Sequence, residues 1–288
     1  MELKILVTGA NGQLGTELRT LAVQYPRYSF IFTDLDQLDI TRAAATEDFI
    51  RNCRPHFLIN CAAYTAVDLA ESNMEAAFSL NTEAVRTLAH ITAALDIKLI
   101  HISTDFVFDG RKNRPYVEDD LPAPLNIYGK SKWRGEEACL QENPHSIIVR
   151  TSWLYSPFGN NFVKTVQRLC REKKDIGIIY DQIGTPTYAH DLAAALMVVV
   201  SKASRDTWGI FHYSNEGVCS WYDFAEAIKN LSRLSCRILP LETSEYPTPA
   251  KRPAYAVLNK KKIKQTFGID IPHWQQSLAA CIERMHNV

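Results

Sequence analysis

The chain has no net formal charge: 32 lysines and arginines balance 32 aspartates and glutamates. Nucleic acid and anionic membrane surfaces both select for a positive field, so neither is expected as a partner. Long apolar runs are missing too. The longest, Leu192 to Val200, is far too short to span a bilayer, which takes about 20 residues as a helix. The seven cysteines include no C-x-x-C pair. A zinc site and a disulfide framework are therefore not expected, and a reducing cytoplasm is the expected location. The N-terminus leads directly into a strand-like segment, so no secretory signal is expected. There is no internal repeat and no low-complexity tract. What is present is 288 residues, enough to bury a substantial core as one large domain or two modest ones without metal or disulfide support.

Leu3-Lys4-Ile5-Leu6-Val7 has the length and apolarity of a strand. Gly9-Ala10-Asn11-Gly12-Gln13-Leu14-Gly15 follows at once, and Thr16 to Val23 has helical composition. A strand, a G-x-x-G-x-x-G loop and a helix in this order predict dinucleotide binding. The glycines permit a tight turn, close approach of a pyrophosphate, and packing of helix on sheet. The helix N-terminus offers free N–H groups and a positive dipole end to the phosphates. A second apolar run, Tyr28 to Thr33, ends in Asp34. It lies about 20 residues past the glycines, where an acidic side chain accepts from the adenosine ribose. Asp36 is its rival. No arginine follows Asp34 closely, so NADH is expected to serve at least as well as NADPH. Asp39-Ile40 is placed against the adenine.

Tyr128 and Lys132 stand four residues apart, which on a helix puts both side chains on one face, one turn apart. A lysine ammonium there would favour ionisation of the phenol and make it a usable general acid or base. Alone, the pair is equally compatible with a solvated helix face. Around it, strand-like and helical segments alternate. His56 to Ala63, Lys98 to Ser103 and Ser146 to Arg150 read as strands. Met74 to Leu95 reads as one long helix, and Trp133 to Glu142 extends the helix bearing Tyr128. Such alternation predicts an α/β fold, a Rossmann-like doubly wound parallel sheet, with a smaller, less regular C-terminal substrate lobe. The expected division is 1–150 for dinucleotide binding and 151–288 mainly for the substrate lobe. Some segments of that lobe, such as the helix from Asp191 to Ser201, return to the sheet. Pro240 to Pro253 is expected to wrap the surface.

These residues resemble the extended short-chain dehydrogenase/reductase superfamily and, within it, the reductases that make dTDP-L-rhamnose. The resemblance runs nearly end to end. It rests on the glycine loop, Asn60 to Asp68, Ser103 to Gly110, Ala123 to Lys132, Arg150 to Tyr155, Gly159 to Phe162 and Tyr246 to Pro253. It implies reduction of a dTDP-linked 4-keto-6-deoxy sugar by NADPH or NADH. Tyr128 would be the proton donor, Thr104 would polarise the carbonyl, and Lys132 would tune the phenol and bind the nicotinamide ribose. Ala62, Ala63, Tyr64 and Thr65 would line the cofactor. Asp105, Trp153, Asn161 and Arg252 would contact the sugar nucleotide, Arg252 at the diphosphate.

Some bacterial members of the family dimerise through magnesium held by acidic side chains. Here Glu17 occupies one such position but His190 another, and a histidine is a poor magnesium ligand. No metal is therefore expected, and a homodimer would have to rely on apolar helix faces. The resemblance leaves open another sugar-nucleotide reductase, a 4-epimerase that retains NAD, or a non-catalytic subunit like the regulatory subunit of methionine adenosyltransferase.

Overall fold

The computed structural model describes residues 3–286. Strands β1 (Leu3–Thr8), β2 (Tyr28–Thr33), β3 (Phe57–Asn60), β4 (Lys98–Thr104) and β5 (Ile147–Thr151) alternate with helices α1 (Gln13–Ala22), α2 (Ala43–Cys53), α3 (Val67–Ser72), α4 (Met74–Phe78), α5 (Ala84–Ala94) and α6 (Ile127–Glu142). The second half adds short strands β6 (Leu154–Tyr155), β7 (Asp175–Ile179), β8 (Ile183–Gly184), β9 (Thr187–Tyr188), β10 (Gly209–His212), β11 (Cys219–Ser220) and β12 (Arg237–Leu241). Its helices are α7 (Phe162–Glu172), α8 (Ala189–Lys202), α9 (Trp221–Leu231), α10 (Lys261–Phe267) and α11 (Trp274–His286).

Six strands form one sheet in the order β10-β5-β4-β3-β1-β2, with every neighbouring pair parallel. Successive strand residues point to opposite faces. Ile5, Val7, Ile59 and Val149 therefore meet α1, α8 and α10 on one face. Leu6, Leu58, Leu99 and Ile148 meet α2 and α5 on the other. Burial on both faces is why these strands read as continuous apolar runs, and each fully buried Leu or Ile contributes about 1.5–3 kcal/mol. The sheet's outermost strand β10 and the covering helix α8 come from the second half of the chain. The remainder of that half packs α7, α9 and α11 around a separate apolar cluster that includes Val163, Phe224, Trp274 and Leu278.

The structure departs from the sequence reading in four places. The long helix from Met74 is interrupted by a π-helical turn over Ser79–Glu83. There the fully buried Asn81 turns its side chain outward from the helix to hold Tyr64 and Ser131, and π turns often mark functional sites. The strand expected over His56–Ala63 closes at Asn60, because the chain then leaves the sheet to form a rim. Pro240 lies inside β12, which pairs only with β7; on such an edge its missing N–H costs nothing. Finally, Cys170 and Cys236 form a disulfide, with Cα atoms 5.0 Å apart. This single bridge corrects the cysteine reading. The pair is 66 residues apart in sequence and is brought together only by the pairing of β7 with β12.

Candidate active site

The chain leaves β1 towards β2 on one side and later returns to place β3 on the other. At such a switch point a crevice opens beyond the carboxyl ends of the strands, where ligands of open α/β sheets bind. A cleft of about 880 Å³ occupies it, within the size range of cofactor sites. Gly9 turns at φ +65°, and a Cβ there would lie 2.5 Å from the Ala62 nitrogen. A Cβ on Gly15 would lie 2.5 Å from Ala10 Cα. Neither position tolerates a side chain, so the backbone of the turn stays bare and close to the cleft. Gly12 caps α1 without any side-chain bond, which leaves the first N–H groups of the helix free for an anion. The donor set and the bare backbone fit a dinucleotide pyrophosphate.

Gly9, Gly12, Gln13, Leu14, Gly15, Asp34, Asp39, Ile40, Ala62, Ala63 and Thr65 all line this cleft. Asp34 is held by N–H groups of Asn11, at 2.7 Å, and Leu35, at 2.8 Å. One Asp39 carboxylate oxygen accepts from the Thr41 N–H and hydroxyl, and Ile40 and Leu38 line the cleft beside it. Two predicted cofactor residues fall outside the lining. The Asn11 side chain accepts from Arg19. Tyr64 is clamped by its own backbone to Asn81. The Gln13 side chain bonds Ser156, Asn161 and Leu154 O, tying α1 to the segment that follows β5.

Tyr128 is placed by local sterics. Asn126 caps α6 by accepting from Gly129 N at 2.7 Å. A Cβ on Gly129 would lie 2.2 Å from Phe106 O, so only glycine lets the helix start so near the turn after β4. The Tyr128 ring then packs edge-on to Phe106 and faces Thr104. Burial pushes the phenol up to about 12; the neighbouring Thr104 hydroxyl pulls the other way, and Asp105 adds to the rise. The net direction is upward, so burial outweighs any lowering by Lys132. Lys132 Nζ instead donates to Ile102 O at 2.7 Å and sits 3.4 Å from His101 Nε2. Burial draws its ammonium down to about 8, against upward pulls from Glu136, Cys139 and Cys61. Beneath it, Glu136 and Arg150 form a fully buried pair at 2.6 Å that fastens α6 to β5.

At the other end of the cleft, Thr104 donates to Asp105 Oδ1 at 3.0 Å and accepts from Phe106 N. Asp105 Oδ2 is buried without a partner. Trp153 lines the cleft at φ +46°, an uncommon conformation for a bulky residue. It stacks on Trp221 at 3.6 Å, a partner that no sequence spacing announces. Arg252 also lines the cleft, its guanidinium bound to both oxygens of Asp68 at 3.0 and 2.8 Å. Asn161 does not line it: its side chain caps α7, accepting from Lys164 N, and Asn160 takes the exposed place. Thr151 and Ser152, carried within the Thr-Ser-Trp motif but not singled out, line the cleft as well.

Glu17 is fully buried, and its Oε2 accepts from Arg284 at 2.7 Å and lies 3.0 Å from His190 Nδ1. Arg284 stands 267 residues from Glu17 in the sequence, with no motif to mark it. Among the described residues no group of three or more His, Cys, Asp or Glu side chains is arranged to hold a metal, and no helix is long and apolar enough to cross a membrane.

This geometry agrees with comparisons to known proteins. The family described as RmlD substrate binding domain matches residues 3–287. A dTDP-4-dehydrorhamnose reductase of Aggregatibacter actinomycetemcomitans is 42% identical over 284 residues, 96% of this chain and 97% of that protein. The crystal structure of a dTDP-4-dehydrorhamnose reductase from Clostridium acetobutylicum superposes with a TM-score of 0.94 at 39% identity, covering 99% of this chain and 100% of that one. Another, from Bacillus anthracis in complex with NADP, gives a TM-score of 0.94 at 37% identity with the same coverage. The chain therefore belongs to the RmlD substrate binding domain family, whose relatives here are dTDP-4-dehydrorhamnose reductases.

Proposed function

We propose that this chain reduces the C4 ketone of dTDP-4-dehydro-L-rhamnose to give dTDP-L-rhamnose, with NADPH or NADH as reductant. The observation that carries the proposal is the meeting of Thr104 and Tyr128, with Lys132 one turn on, at the sheet end opposite a bare glycine turn. When bound, the reduced nicotinamide supplies a hydride to the carbonyl carbon. The glycine turn and the first N–H groups of α1 hold the pyrophosphate, and Asp34 accepts from the adenosine ribose.

In the substrate complex the Thr104 hydroxyl turns from Asp105 to the ketone oxygen and polarises it, a modest oxyanion-type contribution. As negative charge develops on that oxygen, Tyr128 gives it the phenolic proton and is left as phenolate. Its raised pKa means the proton is present at neutral pH, and an alkoxide is a stronger base than a phenolate, so the transfer runs downhill. Lys132 binds the nicotinamide ribose and supplies the positive charge that stabilises the phenolate. The unpartnered Asp105 Oδ2 accepts from a sugar hydroxyl, Trp153 bounds the sugar, and Arg252 turns its remaining N–H groups to the diphosphate. The cytoplasm, where reduced nicotinamide and nucleotide sugars are made, is the proposed location, and self-association through apolar helix faces the proposed assembly.

The test is oxidation of NADPH and NADH by the purified chain with dTDP-4-dehydro-L-rhamnose and with other nucleotide-linked 4-keto sugars. Turnover only with another keto sugar would overturn the substrate. Tightly retained oxidised cofactor with no demand for added reductant would point to an epimerase.

A further inference from the structure

A buried file of polar side chains runs beneath the site, and the reduction described above leaves it without a task. Thr8 Oγ1 donates to Asn60 Oδ1 at 2.7 Å, and the Ala62 N–H donates to the same oxygen at 3.1 Å. A backbone N–H can only donate, so this oxygen is fixed as the acceptor and the Asn60 amide cannot be flipped. Its Nδ2 lies 3.1 Å from His101 Nδ1. An amide nitrogen donates, so Nδ1 accepts. His101 is fully buried, and burial, with the nearby Lys132 charge, keeps its ring neutral. A neutral imidazole carries one proton, which must then sit on Nε2. That N–H faces Lys132 Nζ at 3.4 Å. An ammonium has only hydrogens to set against it, whereas an amine has a lone pair.

We propose that His101 is a positioning residue for the reduction: Asn60 sets its tautomer, and its Nε2–H faces Lys132, so that Lys132 acts as a proton-sharing group rather than a permanent cation. The proposal rests on the functional reading given above. As an amine, Lys132 accepts from His101, donates to Ile102 O at 2.7 Å, and keeps one N–H for a ribose hydroxyl. The charged and titratable groups around it are Tyr128, Glu136 and Cys139 on α6, Cys61 beyond β3, and His101 on β4. Glu136 is already matched by Arg150, so it is a weak counterweight to burial. Protonated, Lys132 stabilises the Tyr128 phenolate; deprotonated, it does not. Reduction should therefore slow as pH rises through the Lys132 titration, and His101 sets where that happens.

Two measurements test this on the full chain. Nitrogen NMR of 15N-histidine-labelled protein, with His101 assigned from the spectrum of His101→Asn, reads the tautomer without any turnover. A single proton on Nε2 from about pH 6 to about pH 9 is expected; an Nδ1 proton or an imidazolium in that range overturns the proposal. The second measurement is the pH profile of kcat/KM for the keto sugar. His101→Asn keeps an acceptor for Asn60 but deletes the N–H facing Lys132, so the alkaline limb should move up by about one unit. His101→Gln, which can still present an amide N–H to Lys132, should stay near wild type. An unmoved limb in His101→Asn overturns the proposal. If that variant fails to fold, isosteric Asn60→Asp replaces it: its carboxylate can only accept, so the proton should transfer to His101 Nδ1 and the limb should again rise. Failure of the wild-type chain to reduce the keto sugar refutes the functional reading, while the NMR result still decides the tautomer.

Discussion

Replacing Asp105 with asparagine should stabilise the protein above neutrality, and that advantage should disappear as pH falls. The side chain is 1% exposed. One carboxylate oxygen accepts from Thr104 and the other has no partner. Burial pushes the carboxyl from 3.8 up to about 7, while hydrogen bonds from Thr104 and nearby backbone pull the other way by less. The folded state thus binds more protons than the unfolded state between these two values. Stability from this group is lost as pH rises from about 4 to about 7, and stays lost above. At 1.36 kcal/mol per unit, the ionised carboxylate costs on the order of 4 kcal/mol above neutrality.

Asparagine still offers Thr104 an acceptor but buries an amide nitrogen where Oδ2 had been, an offset of about 1–3 kcal/mol. Comparing two pH values removes that offset. Between about pH 5 and about pH 8, wild type should lose roughly 3 kcal/mol more stability than the variant. Urea unfolding at the two pH values measures this directly, provided the slopes agree. Equal differences between variant and wild type at both values would show that no buried charge is at stake. The variant should also bind the sugar nucleotide more weakly, because a stability gain paired with a loss of function is expected where a strained group serves a site.

Tyr128→Phe removes the proton donor and little else, so turnover should fall about 10²–10⁴-fold while cofactor affinity, measured by fluorescence titration, hardly changes; near-normal turnover would rule out Tyr128 as the acid. Asp34→Ala should shift preference towards NADPH, since a carboxylate that accepts from ribose hydroxyls repels a 2′-phosphate; an unchanged ratio of kcat/KM for the two cofactors would place the ribose elsewhere. Dialysis against EDTA should leave activity and sedimentation unchanged, because the Glu17 carboxylate is already shared by Arg284 and His190. Dissociation with loss of activity, restored by magnesium, would contradict that.

The parts of this protein legible in the sequence are those governed by local forces. The turn at Gly9 to Gly15 announces itself because only glycine meets its steric demands. The parallel sheet shows in apolar runs because both its faces are covered, and the shared face of Tyr128 and Lys132 follows from helical pitch. Tertiary structure decided what depends on distant partners. Trp221 reaches Trp153, Arg284 reaches Glu17, and Cys236 reaches Cys170 only once helices and strands distant in sequence are docked. Asn161 looked like a ligand contact, yet the unsatisfied N–H groups at the start of α7 claimed its side chain and left Asn160 at the cleft. The protonation chemistry was also out of reach of spacing. Helical pitch brings a lysine and a tyrosine onto one face, but their pKa values are set by how completely water is excluded. Here burial outweighs any lowering of the phenol by Lys132, whose Nζ lies 3.4 Å from His101 Nε2.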